Sequence, residues 1–238
     1  MKKQFILIAG SKGLIGKSIS KELEKNYNII RVDKKINHID DFSYKCDFSN
    51  EKSVKLLLVK LKKKNINLFA AINALYPKKS LNFLQNNNKK FILYIKQHLI
   101  AYYNFNKVLY DYFSKNNQKK IIINFSSLYG SKIPNFKIYH GTKIKMPIEY
   151  SISKSSLIIM NKYFAEWSRY KKKKILFFSI SPLGIESNQP KKFKSNYKKG
   201  YKAKMILPKL LTKKIIKILK TNNQNSGKNY ILTGGAKI

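Results

Sequence analysis

Four tyrosines in this chain are followed four residues later by a lysine: Tyr103/Lys107, Tyr139/Lys143, Tyr150/Lys154 and Tyr170/Lys174. The spacing could do acid–base chemistry. A free phenol titrates near 10, too high for a base at neutral pH, and an adjacent ammonium favours its ionised form. In a chain with 50 Lys+Arg and 16 Tyr such pairs also arise by chance, so position has to choose among them. Tyr103 precedes an apolar run and falls on the wrong side of the strand sequence. Tyr170 opens a lysine run at a helix end. Tyr139 is the serious rival, but its pair brackets Gly141 in a loop-like segment. Tyr150 falls in the first turn after Pro147, where residues i and i+4 share a helix face. Ser126-Ser127 stands upstream of it and offers a hydroxyl to the same chemistry.

A second group could bind an anion. Gly10-Ser11-Lys12-Gly13-Leu14-Ile15-Gly16 follows an apolar run and opens a helical one. Glycines there allow a tight turn and close backbone approach to a pyrophosphate, which the following helix N-terminus would face. Asp33 ends the next apolar run, where an acid would accept both hydroxyls of an adenosine ribose and favour NAD over NADP. Lys12, Lys34 and Lys35 argue the other way, since they could bind a 2′-phosphate. Cys46-Asp47-Phe48 and Asn73-Ala74 end the following two runs. Asp47 is open to a plainer reading as a helix N-cap, and Asp33 to one as an exposed surface acid.

Composition narrows the classes. The formal charge is +39, with 11 Asp+Glu and only two arginines, Arg31 and Arg169. Proteins that read nucleic acid lean on arginine for bidentate contacts. Lysines scattered among abundant Asn, Ile, Tyr and Phe instead fit a bias in codon usage. Nucleic-acid binding beyond nonspecific electrostatics is therefore not expected. The single cysteine, Cys46, excludes an internal disulfide. His38, His98 and His140 lack metal-ligand spacing, so no metal is expected. No apolar run is long enough to span a membrane, and the opening apolar stretch is too short for a signal peptide. A soluble cytoplasmic protein is expected.

These residues need a scaffold. Short apolar runs at Gln4–Ala9, Asn28–Asp33, Asn67–Asn73, Lys120–Phe125, Ile175–Ser181 and Tyr230–Thr233 read as strands, with a short one near the end of Ile36–Cys46. Helical patterns cover Leu14–Lys25, Lys52–Lys64 behind a Ser49-Asn50-Glu51 cap, Phe91–Ser114, Pro147–Tyr170 and Lys209–Lys220. Pro77–Lys90 reads as a loop. The alternation implies βαβ units and a parallel sheet covered on both faces. In such a sheet the ligand site lies at the carboxyl ends of the strands, where the glycine turn, Asp33, Asp47, Asn73-Ala74 and Ser126-Ser127 fall.

Assembled in this order, the chain resembles the short-chain dehydrogenase/reductase family over nearly its whole length. The matching residues are Gly10/Gly13/Gly16, Asp33, Asp47, Asn73-Ala74, Asn124-x-Ser126-Ser127-x-x-Gly130 and Tyr150-x-x-Ser153-Lys154-x-x-Leu157. Ser181-Pro182-Leu183-Gly184-Ile185 and Thr233-Gly234-Gly235 look like the family's later segments. The resemblance implies one α/β Rossmann-type domain over residues 1–238, a doubly wound seven-stranded parallel sheet of order 3-2-1-4-5-6-7. It implies an NAD(P)-dependent oxidoreductase on an alcohol/carbonyl pair, with Tyr150, Lys154 and Ser127 as the catalytic residues. Gly10 through Gly16, Asp33, Asp47, Phe48, Asn73, Ala74, Pro182, Gly184 and Ile185 would bind the cofactor with Tyr150 and Lys154. It further implies a homodimer or homotetramer through the two long helices.

The chain departs from the family pattern at Ile72, Leu75 and Leu183. His98 stands where an Asn usually serves a proton relay. The stretch between Ser127 and Tyr150 is longer than usual, so Asn135–Met146 should overhang the substrate side. That segment and Ser187–Pro190 look like a branch associated with bacterial surface-sugar and flagellin modification, which implies a sugar or sugar-derivative substrate. The departures also support an alternative: a catalytically weak or inactive binding protein on the same fold, of which the charge motivates a polyanion-binding version.

Overall fold

The computed structural model describes residues 3–38, 40–76, 87–221 and 225–236. Its strands are β1 (Phe5–Ala9), β2 (Asn28–Asp33), β3 (Ser43–Lys45), β4 (Leu68–Asn73), β5 (Lys120–Phe125), β6 (Ile175–Pro182) and β7 (Asn229–Leu232). They form one seven-stranded sheet of order β3-β2-β1-β4-β5-β6-β7. Every pairing is parallel. The helices are α1 (Leu14–Leu23), α2 (Glu51–Lys63), α3 (Asn88–Phe113), α4 (Ile148–Tyr170), α5 (Lys191–Tyr201) and α6 (Pro208–Leu219).

Strand alternation sends successive side chains to opposite faces. Leu7 and Ile122 join a core under α2, α3 and α4. Ile6, Ile8, Ile121 and Ile123 join a second core under α1 and α6. Both faces are buried, so β1 and β5 are apolar runs without polar alternation. No described helix is long and apolar enough to cross a membrane.

The sheet order is the one the family resemblance implies, and most elements lie within a few residues of the expected bounds. Three differences have local causes. α3 begins at Asn88, because the Asn87 side chain accepts the Lys90 N–H at 3.0 Å and caps it. The end of the expected Pro77–Lys90 loop is thus helical, and residues 77–86 lie outside those described. Pro147 is the N-cap of α4 rather than its first helical residue. α5 was not anticipated. Its lysines hide an aromatic face of Phe193, Tyr197 and Tyr201 at i, i+4 and i+8, which packs beneath it.

A cluster of buried amides crosses the largely apolar layer between sheet and helices. Asn124, at the end of β5 and fully buried, accepts from Asn73 Nδ2 at 3.0 Å and from Asn106 Nδ2 at 3.3 Å. Its own amide donates to Asn106 Oδ1 at 2.9 Å and to Asn161 Oδ1 at 3.5 Å. This amide cluster ties β4, β5, α3 and α4 together beneath the carboxyl edge of the sheet. Removing one member leaves buried partners unsatisfied, at a cost of about 1–3 kcal/mol. Asn124→Leu is therefore expected to lower unfolding stability by roughly that amount. Urea denaturation checks this, and an unchanged midpoint would show that the cluster contributes nothing.

Candidate active site

The site is built on the contact between the end of β5 and the second turn of α4. Ser126 Oγ donates to the Lys154 carbonyl at 2.6 Å. A Cβ on Gly130 would lie 2.7 Å from the Lys154 carbonyl carbon, so only glycine lets α4 approach this closely. Lys154 Nζ reaches back to donate to the Phe125 carbonyl at 2.9 Å. These contacts fix the register of α4 and hold Tyr150, one turn before Lys154, beside Ser127. Ser127 is buried, and its Oγ accepts the Tyr129 N–H at 3.2 Å.

Burial separates the four Tyr/Lys pairs. Among the described residues only Lys120 and Lys154 are buried lysines. Lys120 lies at the opposite edge of the sheet, where its Nζ donates to Asn67 Oδ1 at 2.7 Å and the Leu68 carbonyl at 2.6 Å. Lys107 is paired with Glu51, and Lys143 and Lys174 are exposed. Tyr139 does face the same cavity as Tyr150, but its hydroxyl contacts Tyr129 Oη at 3.5 Å.

Desolvation dominates the titration of both candidate residues. Burial pulls the Lys154 ammonium down from 10.5 to about 7. Burial pushes the Tyr150 phenol above its ordinary value, with the Ser127 hydroxyl pulling the other way. The phenol is thus raised by burial, where the sequence led us to expect a lowering by Lys154. The Lys154 Nζ lies 6.0 Å from the Tyr150 ring centroid.

Sequence reasoning missed Tyr102, which accepts from Lys154 Nζ at 3.1 Å. His98, singled out instead, stands one turn earlier on α3. It stacks on Tyr94 at 3.9 Å, and neither ring nitrogen has a hydrogen-bond partner. Burial and the Lys154 charge pull its pKa down to about 3, so it is neutral at physiological pH. Glu149 was also missed. It is fully buried beside Tyr150 with both carboxylate oxygens unpartnered, in the first turn of α4, where the helix dipole favours negative charge.

The glycine turn runs from β1 into α1. Gly10 has φ +80°, and a Cβ there would lie 2.6 Å from the Ala74 carbonyl oxygen. A Cβ on Gly16 would lie 2.2 Å from the Gly10 carbonyl oxygen. α1 starts after Gly13 with no side-chain cap. Ser11 Oγ is buried without a partner. This turn fits a pyrophosphate: bare backbone, an uncapped helix start and an orphaned hydroxyl together.

Asp33 is buried, not an exposed surface acid, and accepts the Lys12 N–H at 3.1 Å and the Lys35 N–H at 3.0 Å. The turn and the end of β2 are thereby joined. Asp47 is not the N-cap of α2, because Asn50 takes that place. Asp47 instead closes a local turn by accepting from Ser49 N at 2.9 Å and Ser49 Oγ at 2.7 Å. The Phe48 side chain packs in the core on Phe105, centroids 5.6 Å apart, so only its backbone can serve a ligand. Leu14 is exposed, whereas Ile15 packs against the α1/α6 core. Asn73 spends its amide on Asn124 and its carbonyl on the Leu75 N–H at 3.2 Å. Ile72 is core.

Beyond β6, the segment from Leu183 to Glu186 is pinned by Leu183 N–H to the Leu232 carbonyl at 2.9 Å and Ile206 N–H to the Gly184 carbonyl at 2.7 Å. A Cβ on Gly184 would lie 2.5 Å from the Tyr197 ring. Ser127, Tyr150, Gly184 and Ile185 line one cavity of about 160 Å³. Ile138, Ile144 and Met146 from the long inserted stretch line its far side, over the strand ends as expected.

The strand order and this arrangement at the carboxyl edge define the fold of the short-chain dehydrogenases/reductases. The chain aligns with the structure of a short chain dehydrogenase from Leptospira borgpetersenii with bound NAD+, at 24% identity and TM-score 0.88, covering 100% of this chain and 94% of that one. It aligns with 4-hydroxyisoleucine dehydrogenase complexed with NADH at 23% identity and TM-score 0.80, covering 98% of each chain. A 3-ketoacyl-(acyl-carrier-protein) reductase from Brucella melitensis complexed with NADH aligns at 18% identity and TM-score 0.76, covering 99% of this chain and 98% of that one. No family model matches the chain, and no curated protein matches it in sequence.

The depressed Lys154 has a consequence for stability. Between its folded value of about 7 and its ordinary 10.5, the unfolded chain binds more protons at this site than the folded one. Stability from this site therefore rises with pH through that window. Lys154→Met removes the effect. Melting curves across that pH range should show wild type gaining on the variant as pH rises, and a gap independent of pH would contradict the burial argument.

Proposed function

We propose that this chain is an NAD-dependent oxidoreductase that interconverts an alcohol and a carbonyl. The observation that carries the reading is the Lys154 ammonium, clamped between the Phe125 carbonyl and Tyr102 Oη, with Tyr150 and Ser127 beside it on one cavity floor. NAD, when bound, supplies or accepts the hydride. Gly10, Ser11, Lys12, Gly13, Leu14, Ile15 and Gly16 would hold its pyrophosphate region. Asp33 would take the adenosine ribose, with Asp47, Phe48, Asn73 and Ala74 along the adenine side. Pro182, Gly184 and Ile185 would flank the nicotinamide. The neighbours with NAD+ or NADH bound support this placement.

Tyr150 is the proton donor and acceptor. Its raised pKa keeps the phenol protonated at neutral pH, poised to protonate a developing alkoxide as hydride arrives. In the reverse direction Lys154, when charged, stabilises the phenolate. Ser127 orients the reacting oxygen. The buried Asp33 carboxylate supports NAD over NADP, because a 2′-phosphate would meet its charge. A sugar or sugar-derivative substrate rests on the resemblance of Asn135–Met146 and Ser187–Pro190 alone.

The long helices support self-association. Ile148, Ile152, Ile159, Tyr163, Trp167 and Tyr170 recur along α4 and are exposed. An apolar stripe beyond the core-facing one calls for a second surface, and a symmetric homo-oligomer supplies it. Light scattering at about 0.15 M salt, where charge repulsion is substantially screened, should show a dimer or tetramer, and a monomer at micromolar concentration would refute it.

Tyr150→Phe tests the chemistry. Turnover is expected to fall by at least about a hundredfold, the scale of lost acid–base catalysis, while NADH binding changes little. Tyr139→Phe should retain turnover. The opposite pattern would move the site to the Tyr139/Lys143 pair, and NADPH bound more tightly than NADH would overturn the role given to Asp33.

A further inference from the structure

The cavity above Tyr150 has an unusual composition for this chain. Charged residues make up 26% of the sequence, yet among the described residues no Lys, Arg, Asp, Glu or His lines it. Its walls are rings and apolar side chains, among them Tyr139, Phe193, Tyr197, Met146 and Met205.

Apart from the Tyr197 hydroxyl, which is buried without a partner, the polar side-chain groups described on those walls are already engaged. Tyr139 Oη contacts Tyr129 Oη at 3.5 Å, and Tyr129 Oη lies 2.9 Å from Tyr201 Oη. Tyr201 Oη also accepts the Asn135 N–H at 3.3 Å. Gln189 spends its amide on the Ile185 carbonyl at 2.8 Å and the Ser187 N–H at 2.7 Å. Free hydrogen-bonding capacity is left to Ser127 and Tyr150 at the floor and to the Tyr197 hydroxyl in the wall. A ligand group carrying charge, or many hydroxyls, would be desolvated here without partners, which is costly.

We propose that the substrate enters with an uncharged, largely apolar moiety, bearing its reacting oxygen toward Ser127 and Tyr150. The assignment rests on the oxidoreductase reading for the reaction, and on the cavity alone for the selectivity. Carboxylated, phosphorylated and polyhydroxylated groups are excluded from the cavity, despite a protein charge of +39 that attracts anions to the surface.

The test uses three ketones with NADH: cyclohexanone, 4-oxocyclohexanecarboxylate and an open-chain polyhydroxy ketone. It also uses a readout free of turnover, the rise in melting temperature caused by cyclohexanol or by cyclohexanecarboxylate. Wild type should favour cyclohexanone by about tenfold or more in kcat/KM, and only cyclohexanol should raise the melting temperature. Met205→Lys, at a partly exposed wall position, should shift both preferences toward the carboxylates. Equal or better use of the charged or polyhydroxy ketone by wild type overturns the proposal, as does thermal stabilisation by the carboxylate or by neither ligand. Selective stabilisation by cyclohexanol without reduction of any ketone leaves the cavity assignment standing and removes the oxidoreductase reading instead.

Discussion

The approach of α4 to the end of β5 is the constraint on which the rest of the site depends. Ser126, Gly130 and the Lys154 ammonium each fix it independently: a hydroxyl on a helix carbonyl, a missing Cβ, and a cation on a strand carbonyl. Because a helix moves as a rigid body, setting Lys154 also sets Tyr150 one turn earlier. The amide cluster around Asn124 holds α3 to the same strand end, and α3 brings Tyr102 to Lys154. Position at the site is thus inherited from packing beneath it.

Desolvation is the cost of that arrangement. Lys154 is drawn toward its neutral form and Tyr150 is held protonated. Nearby, Glu149 and His98 are buried without partners. Each is a local rule broken beside the same cavity, as expected where positioning for chemistry outweighs stability. Lys120 is lowered by desolvation too, so burial of a lysine does not by itself mark a site. It is equally buried but held by an amide and a backbone carbonyl, far from the cavity.

Much of this was legible in the sequence because strands buried on both faces leave unbroken apolar runs, and because glycine in a tight turn cannot be replaced. The strand order followed from alternation and resemblance together. Tyr/Lys spacing alone did not choose the site, since a chain this rich in both types repeats it. Burial separated Lys154 from Lys107, Lys143 and Lys174, and burial is a tertiary property. Tyr102 was hidden because its role depends on how α3 crosses α4. α5 was hidden because seven lysines between Lys191 and Lys204 mask its aromatic spacing. Asp47 offered two readings, and the neighbouring Asn50 decided against the cap.

The central claim is that the glycine turn and the α4 tyrosine serve one bound dinucleotide. A crystal structure of the protein with NADH tests it most directly. The account predicts the pyrophosphate over Gly13 and Gly16, the adenosine ribose on Asp33, and the nicotinamide between Tyr150 and Gly184. A pyrophosphate seated away from the glycine turn, or a nicotinamide out of reach of Tyr150, would contradict it.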